Sequence, residues 1–257
     1  RTLIPWFSIE IGHNDFDNYI IPNLYKLEKN SLKINSKFND YLKPKCKKHS
    51  IKDNHIYGWY NPYTTTGRPV LKHDSGERDC FIPKNDYFIE MDYDSYHPYL
   101  IARMVGYEFK NYPYNELAKL YFNTDNPTPE QYKESKILTF KQIYGGVNQK
   151  YLHHPFFKKI QNYTNQKWNE FQLNGYTVNS CWKKIKKENH KEMTKAKLFN
   201  YLIQAKETSE NIHTLSLIHK LLKNYKTKVV LYNYDAFVFD FCDKEYDDIY
   251  NRLNNII

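Results

Sequence analysis

Hydrophobic and polar positions along this 257-residue chain switch between a period of two and a period near 3.6, and the switches mark out its elements. The stretch Tyr87–Met104 reads YFIEMDYDSYHPYLIARM. A short apolar run (Phe88, Ile89, Met91) leads into Asp92, turn-prone residues follow, and an apolar helix-like segment ends at Met104. This is a strand delivering a carboxylate to its tip, with a helix leaving behind it. Such a carboxylate can hold a metal ion over a sheet edge. Alternatively, Asp92 and Asp94 form a turn and cap the next helix. Taken alone, the stretch favours the turn.

Elsewhere the same periods recur. Asp15–Asn30 has helical spacing (Phe16, Ile20, Leu24, Leu27), which Pro22 weakens. Leu42–Lys52 is a basic loop, Ile56–Tyr60 has strand character, and NPYTTTGRPV is a Thr-Gly-Arg loop. Arg68 in that loop suits a phosphate or base edge, or is a plain surface arginine. Asn115–Phe122 reads as a short helix. A second starts at Thr128-Pro129, with Thr as N-cap and Pro in the first turn, and stops at Gly145-Gly146. On it Lys136, Phe140 and Tyr144 share one face, drifting about 40° per step. One cation and two rings suit a nucleoside triphosphate, and equally a partly buried amphipathic helix. Phe156–Phe171 is helical, YTVNSCW strand-like, and Met193–Leu222 a long helix carrying Asn200 and Gln204. KVVLYNYDAFVFDF reads as a hairpin bent at Tyr234-Asp235, and EYDDIYNRLNNII as a closing helix.

Composition narrows the classes. With 40% apolar residues and a mean hydropathy of -0.82, the chain can bury a core as one large domain or two joined subdomains. It has no membrane-spanning apolar run. The N-terminus has no signal-peptide pattern, and the absent initiator Met points to a fragment or processed product. The +9 formal charge favours a polyanionic partner, nucleic acid first. The 25 Tyr suit base stacking, although A/T-rich codons produce the same bias. Cys46, Cys80, Cys181 and Cys242 are widely spaced and form no C-x-x-C pair, which argues against a zinc site or disulfide framework and fits a reducing compartment. His153-His154 reads as a surface pair rather than a metal site.

Two strand-borne carboxylates, Asp92 and Asp235, thus bracket a helix with a Lys/Phe/Tyr face. In this order the motifs resemble those of the family-A DNA polymerases, relatives of bacterial DNA polymerase I. TTTGR (Thr64–Arg68) matches the T-x-T-G-R loop, and DYDSYHPYLIA the first catalytic motif, usually D-Y-S-Q-I-E-L-R. EQYKESKILTFKQIYGG matches the fingers-helix frame R-x3-K-x3-F-x3-Y-G. GYTVNSCW falls at the G-Y-V-E-T hairpin, NYLIQAKETSENI at the N-x3-Q-G-T-A-A-D-I helix, and NYDAFVFDF at the V-H-D-E-L-V-F-E hairpin. The resemblance runs from about Tyr57 to Ile257.

The resemblance implies an α+β fold: a polymerase palm, an antiparallel sheet with packed helices, carrying a helical fingers insertion. The implied boundaries are 1–56, an N-terminal remnant or edge of a thumb; 57–105, first part of the palm; 106–191, fingers; and 192–257, second part of the palm. It also implies two-metal nucleotidyl transfer with two Mg2+ ions. Asp92, Asp235 and the Tyr93 carbonyl would be the metal ligands, with Asp92, Asp235 and Lys136 catalytic. Tyr93, His97, Tyr132, Lys133, Lys136, Phe140 and Tyr144 would bind the deoxynucleoside triphosphate. Arg68, Thr66, Asn200, Gln204 and Tyr234 would contact the DNA primer-template. Asp94 or Ser95 would cap the following helix, and Asp240 would lie on the opposite strand face from Asp235.

Departures from the family pattern are equally specific. His97 stands where the family has the Glu associated with rejecting a ribose 2′-hydroxyl, and Tyr132 replaces an Arg. Tyr234 and Ala236 replace a His and a Glu. No exonuclease acidic set is present; Glu10 alone does not make one. The competing readings are a single-subunit RNA polymerase relative and a non-catalytic nucleic-acid-binding fragment. An intracellular setting is expected (cytoplasm, nucleoid or organelle matrix), a viral lineage also fits, there is no membrane partner, and processivity partners are unspecified.

Overall fold

The two apolar runs that meet at Tyr234-Asp235 pair with each other and with the strand ending at Asp92. In the computed structural model, residues 20–34, 55–57, 60–61, 63–71, 78–181 and 183–257 are described. The expectations for Glu10, Phe16, the 42–52 loop, Cys46 and Trp182 lie outside them. Helix α1 (Ile21–Glu28) and strand β1 (Ser31–Ile34) come first. Short strands β2 (His55–Tyr57), β3 (Tyr60–Asn61), β4 (Val70–Leu71) and β5 (Phe81–Ile82) precede β6 (Tyr87–Asp92). Four helices follow: α2 (Tyr96–Val105), α3 (Pro113–Phe122), α4 (Pro129–Gly145) and α5 (Pro155–Asn174). The hairpin β7 (Tyr176–Val178) and β8 (Lys184–Lys186) leads to the long helix α6 (Lys195–Leu221). Strands β9 (Lys228–Asn233) and β10 (Ala236–Phe241) and helix α7 (Tyr246–Ile256) complete the fold.

The fold is mixed α+β, with antiparallel sheets and packed helices, as the resemblance implied. The central sheet has the order β6-β10-β9, and a second sheet has the order β2-β1-β5. One face of the central sheet turns Met91, Phe237, Phe239 and Phe241 onto α1, α6 and α7. Its other face places Val230 and Leu231 against Leu32 of β1 and Cys80. Each such large apolar side chain contributes about 1.5–3 kcal/mol by leaving water. A separate apolar cluster joins α2, α3, α4 and α5, and α6 reaches it through Phe199 and Ile203. Helix α6 is therefore the beam shared by the sheet half and the helical half.

Several local expectations need correcting. Pro22 sits in the first turn of α1, where its missing N–H has no intrahelical partner to lose. Helix α4 begins as expected, with Thr128 and Gln131 forming a reciprocal capping box. Neither Asp94 nor Ser95 caps α2: Ser95 is left-handed (φ 52°) and makes no side-chain cap. Among the described residues of the YTVNSCW segment, Tyr176–Val178 alone is strand. His154 is half-buried against Tyr107 and Phe157, rather than a surface residue like its exposed neighbour His153. Among the described residues, no helix is long and apolar enough to cross a membrane.

His219 on α6 donates through Nε2 to the Asn23 carbonyl at 3.1 Å, fastening α1 to the beam. Burial pushes its pKa down from 6.5 to about 4. The folded state therefore disfavours the charged ring. Its contribution is intact above pH 6.5, the ordinary histidine value, and is lost as pH falls towards 4. We expect wild type to lose about 3 kcal/mol more than His219→Gln between pH 7 and pH 4, measured by urea unfolding. Equal losses in the two proteins would exclude this origin.

Candidate active site

The pairing of β6 with β10 sets the site. Asp92 ends β6 opposite Ala236, and the Tyr93 N–H donates to the Asp235 carbonyl at 3.3 Å. Asn233 pairs with Ala236, so Tyr234 and Asp235 form a two-residue hairpin turn. Both carboxylates thus reach one sheet edge. Partial desolvation and then the neighbouring Asp235 charge raise the Asp92 pKa, while the Tyr93 backbone opposes them. Two carboxylates within electrostatic reach of each other repel when both are ionised.

The backbone beside both carboxylates is unusual. Among the described residues only Ser95, Asn123 and Tyr234 are non-glycine residues with positive φ, and two of these flank the pair. A left-handed tyrosine (φ 61°) costs on the order of 1–3 kcal/mol, so its surroundings must hold it. The Arg68 guanidinium lies 3.7 Å from the Tyr234 ring centroid, and Asn211 Nδ2 donates to the Tyr234 carbonyl. Ser95 Oγ donates to the Tyr112 hydroxyl at 2.6 Å, tying the start of α2 to the start of α3.

The Tyr93 side chain does not face the site. Its hydroxyl donates to Thr214 at 2.8 Å and its ring stacks on Tyr96, so only its backbone lies at the sheet edge. The TTTGR loop is ordered by its own residues: Gly67 is left-handed, Gly67 N–H donates to the Thr64 carbonyl, and Thr64 Oγ1 donates to the Arg68 carbonyl. Thr66 is buried and accepts from the Arg68 N–H. Lys183 and Asn179 of the β7–β8 region donate to the carbonyls of Thr64 and Thr65.

Helix α4 presents Tyr132, Lys136, Phe140 and Tyr144 along one side, as their spacing required. The adjoining side of the helix buries Ser135, Thr139, Gln142 and Ile143. Lys136 Nζ lies 5.2 Å from the Tyr114 ring centroid and 5.0 Å from that of Tyr132. Phe140 is 37% exposed and stacks on Tyr144 at 5.8 Å. An open depression lined by Ile137, Phe140, Lys141, Tyr144 and Gly145 runs beside these rings. Lys133 is exposed and lies off the stripe.

Helix α6 closes the site with a polar face inside the fold. Asn200 Nδ2 donates to the Tyr144 carbonyl at 3.2 Å, and Gln204, one turn on, is half-buried. Glu207 is fully buried and accepts from Arg68 Nη2 at 2.9 Å. The sequence reading missed Glu207, which stands seven positions after Asn200 and so shares its face. That spacing was the available signal. His97 joins the same group, with Nδ1 2.5 Å from the Tyr144 hydroxyl.

Among the described residues no group of three or more His, Cys, Asp or Glu side chains could hold a metal ion. The Asp92–Asp235 pair still fits magnesium, which takes one or two carboxylates and otherwise keeps water or substrate oxygens. If the pair is coupled as described, Asp235→Asn lowers the Asp92 pKa towards the ordinary carboxylate range. Carboxyl 13C titration measures this, and an unchanged Asp92 midpoint would show the two groups to be independent.

No protein-family profile matches the chain, and no curated protein matches it. Among the solved structures similar in fold is the POL domain of Pol1 from M. smegmatis, in complex with DNA primer-template and dNTP. The TM-score is 0.64 at 14% identity, over 80% of this chain and 45% of that one. The chain therefore spans less than half of that structure. At this identity the likeness concerns the fold: this chain has a fold resembling a DNA polymerase domain.

Proposed function

We propose that the chain is the core of a template-directed DNA polymerase of the family-A type, adding deoxynucleotides to a primer 3′-end. The observation that carries this reading is the convergence of Asp92 and Asp235 on one sheet edge, joined through the Tyr93–Asp235 backbone hydrogen bond. The central sheet with α6 would be the palm, divided as 57–105 and 192–257. Residues 106–191 would be the fingers, and 1–56 the edge of a thumb. The similarity in fold to a domain seen with primer-template and dNTP supports the assignment, as does the +9 charge.

Asp92, Asp235 and the Tyr93 carbonyl would hold two magnesium ions, which when bound supply Lewis-acid activation of the primer 3′-hydroxyl and of the leaving pyrophosphate. In the reaction the 3′-oxygen bonds to the α-phosphorus as the bond to pyrophosphate breaks. Lys136 would meet the triphosphate and the charge that develops during transfer. Tyr132 and Lys133 would border the phosphates, Phe140 and His97 the sugar, and Tyr144 the templating position. Arg68, Thr66, Asn200, Gln204 and Tyr234 would lie along the primer-template end, where minor-groove acceptors are common to correct pairs.

Primer extension with magnesium tests this, with deoxy- and ribonucleotides offered separately. Deoxynucleotide incorporation is expected, falling by more than about a thousandfold in Asp92→Ala and in Asp235→Ala as several kcal/mol of transition-state stabilisation is removed. Activity surviving either change rules out the site. A preference for ribonucleotides favours the RNA polymerase reading, and no incorporation at all favours a binding role.

A further inference from the structure

Two buried polar atoms face each other across the site without a hydrogen-bond partner: Glu207 Oε2 and His97 Nε2. They lie 3.8 Å apart, close enough for charge attraction and just beyond a formed hydrogen bond. A buried orphan of this kind is costly, and a pair of them aimed at each other is a relationship to be explained. Glu207 is fully buried, and its other oxygen already accepts from Arg68 at 2.9 Å. On the far side of the imidazole, Nδ1 lies 2.5 Å from the Tyr144 hydroxyl.

For a neutral imidazole, donor counting gives the direction of this series. A carboxylate only accepts, so a lone pair on Nε2 would repel Glu207, whereas an Nε2–H would attract it. A neutral ring with its proton on Nε2 leaves Nδ1 free to accept from Tyr144. Burial raises the Tyr144 pKa, so its hydroxyl keeps the proton it donates. The series then runs Tyr144 O–H to His97 Nδ1, His97 Nε2–H towards Glu207, and Arg68 N–H to Glu207. Arg68 in turn lies over the ring of Tyr234, the residue before Asp235.

We propose that Glu207 is the positioning residue of this site, setting the His97 tautomer and thereby Tyr144 on one side while holding Arg68 and the Asp235 turn on the other. It links the nucleotide-facing helix α4 to the turn bearing a carboxylate through a single buried group. In its effect on nucleotide use the proposal rests on the polymerase reading; the tautomer itself does not.

The test uses the full chain with the Glu207→Gln and Tyr144→Phe variants. Long-range 1H–15N spectra of wild type should show His97 protonated on Nε2 and bare on Nδ1. In Glu207→Gln, Arg68 can only donate and so retains the amide oxygen; the amide NH2 then faces His97 and drives its proton to Nδ1. The KM for the incoming nucleotide should rise about tenfold in each variant with kcat nearly unchanged, and the double variant should be no worse than the weaker single one. Wild-type His97 protonated on Nδ1, or an unchanged tautomer in folded Glu207→Gln, overturns the proposal at any activity. A changed tautomer with unaltered KM removes its link to the nucleotide. The expected wild-type tautomer in a protein that incorporates no nucleotide upholds the Glu207–His97–Tyr144 series and refutes the polymerase reading instead. If Glu207→Gln does not fold, wild-type spectra and Tyr144→Phe kinetics still decide.

Discussion

Everything at the candidate site hangs on the register between β6 and β10. Tyr87 lies opposite Phe241, Ile89 opposite Phe239, Met91 opposite Phe237 and Asp92 opposite Ala236. Because side chains alternate with a period of two, a slip of one residue would turn the phenylalanines out of the core and separate Asp92 from Asp235. The register is pinned at both ends. At one, buried Asp240 accepts from the N–H groups of Lys84 and Asn85, just before β6 begins. At the other, the Tyr93 N–H meets the Asp235 carbonyl. A two-residue turn leaves β10 no slack, and a left-handed tyrosine within it is tolerated because Arg68 and Asn211 hold it.

Helix α6 supplies most of that support, and its side chains divide accordingly. Leu198, Leu202, Ile203, Ile212, Leu215 and Ile218 are buried in the apolar clusters. Asn200, Gln204, Glu207, Asn211 and Thr214 recur three or four positions apart and face the site instead. A polar face inside a core helix is expensive unless each group finds a partner. For four of the five the partners are the site's own residues: Tyr144 for Asn200, Arg68 for Glu207, Tyr96 and the Tyr234 carbonyl for Asn211, and Tyr93 for Thr214. Burial that would weaken an ordinary helix thus fixes the geometry around the carboxylates.

This division explains what the sequence made legible. The strand ending at Asp92, the hairpin at Tyr234-Asp235 and the capped start of α4 are written in neighbouring residues, and each formed where expected. Pro22 misled because its effect depends on its place in the helix, and spacing alone does not give the helix start. Ser95 misled because a serine before a helix reads as a cap, whereas here its hydroxyl is taken by Tyr112, a partner from another helix. For Glu207 the spacing from Asn200 marked its face but not its burial. Nothing local distinguishes a buried glutamate from an exposed one until Arg68, far away in sequence, is placed on it.

His97, at the position where the resemblance implies a glutamate, acquires a physical reading from the same contacts. An imidazole can accept at one nitrogen while donating at the other, and a carboxylate cannot. His97 therefore serves Tyr144 and faces Glu207 at once. A glutamate at position 97 would set a second carboxylate against buried Glu207, with Arg68 the cation shown paired to it among the described residues. Conversely, an apolar residue at 207 would leave Arg68 over the Tyr234 ring without its carboxylate. The histidine on α2 and the glutamate on α6 are thus one coupled arrangement: the ring meets Tyr144 on one side and the buried carboxylate on the other.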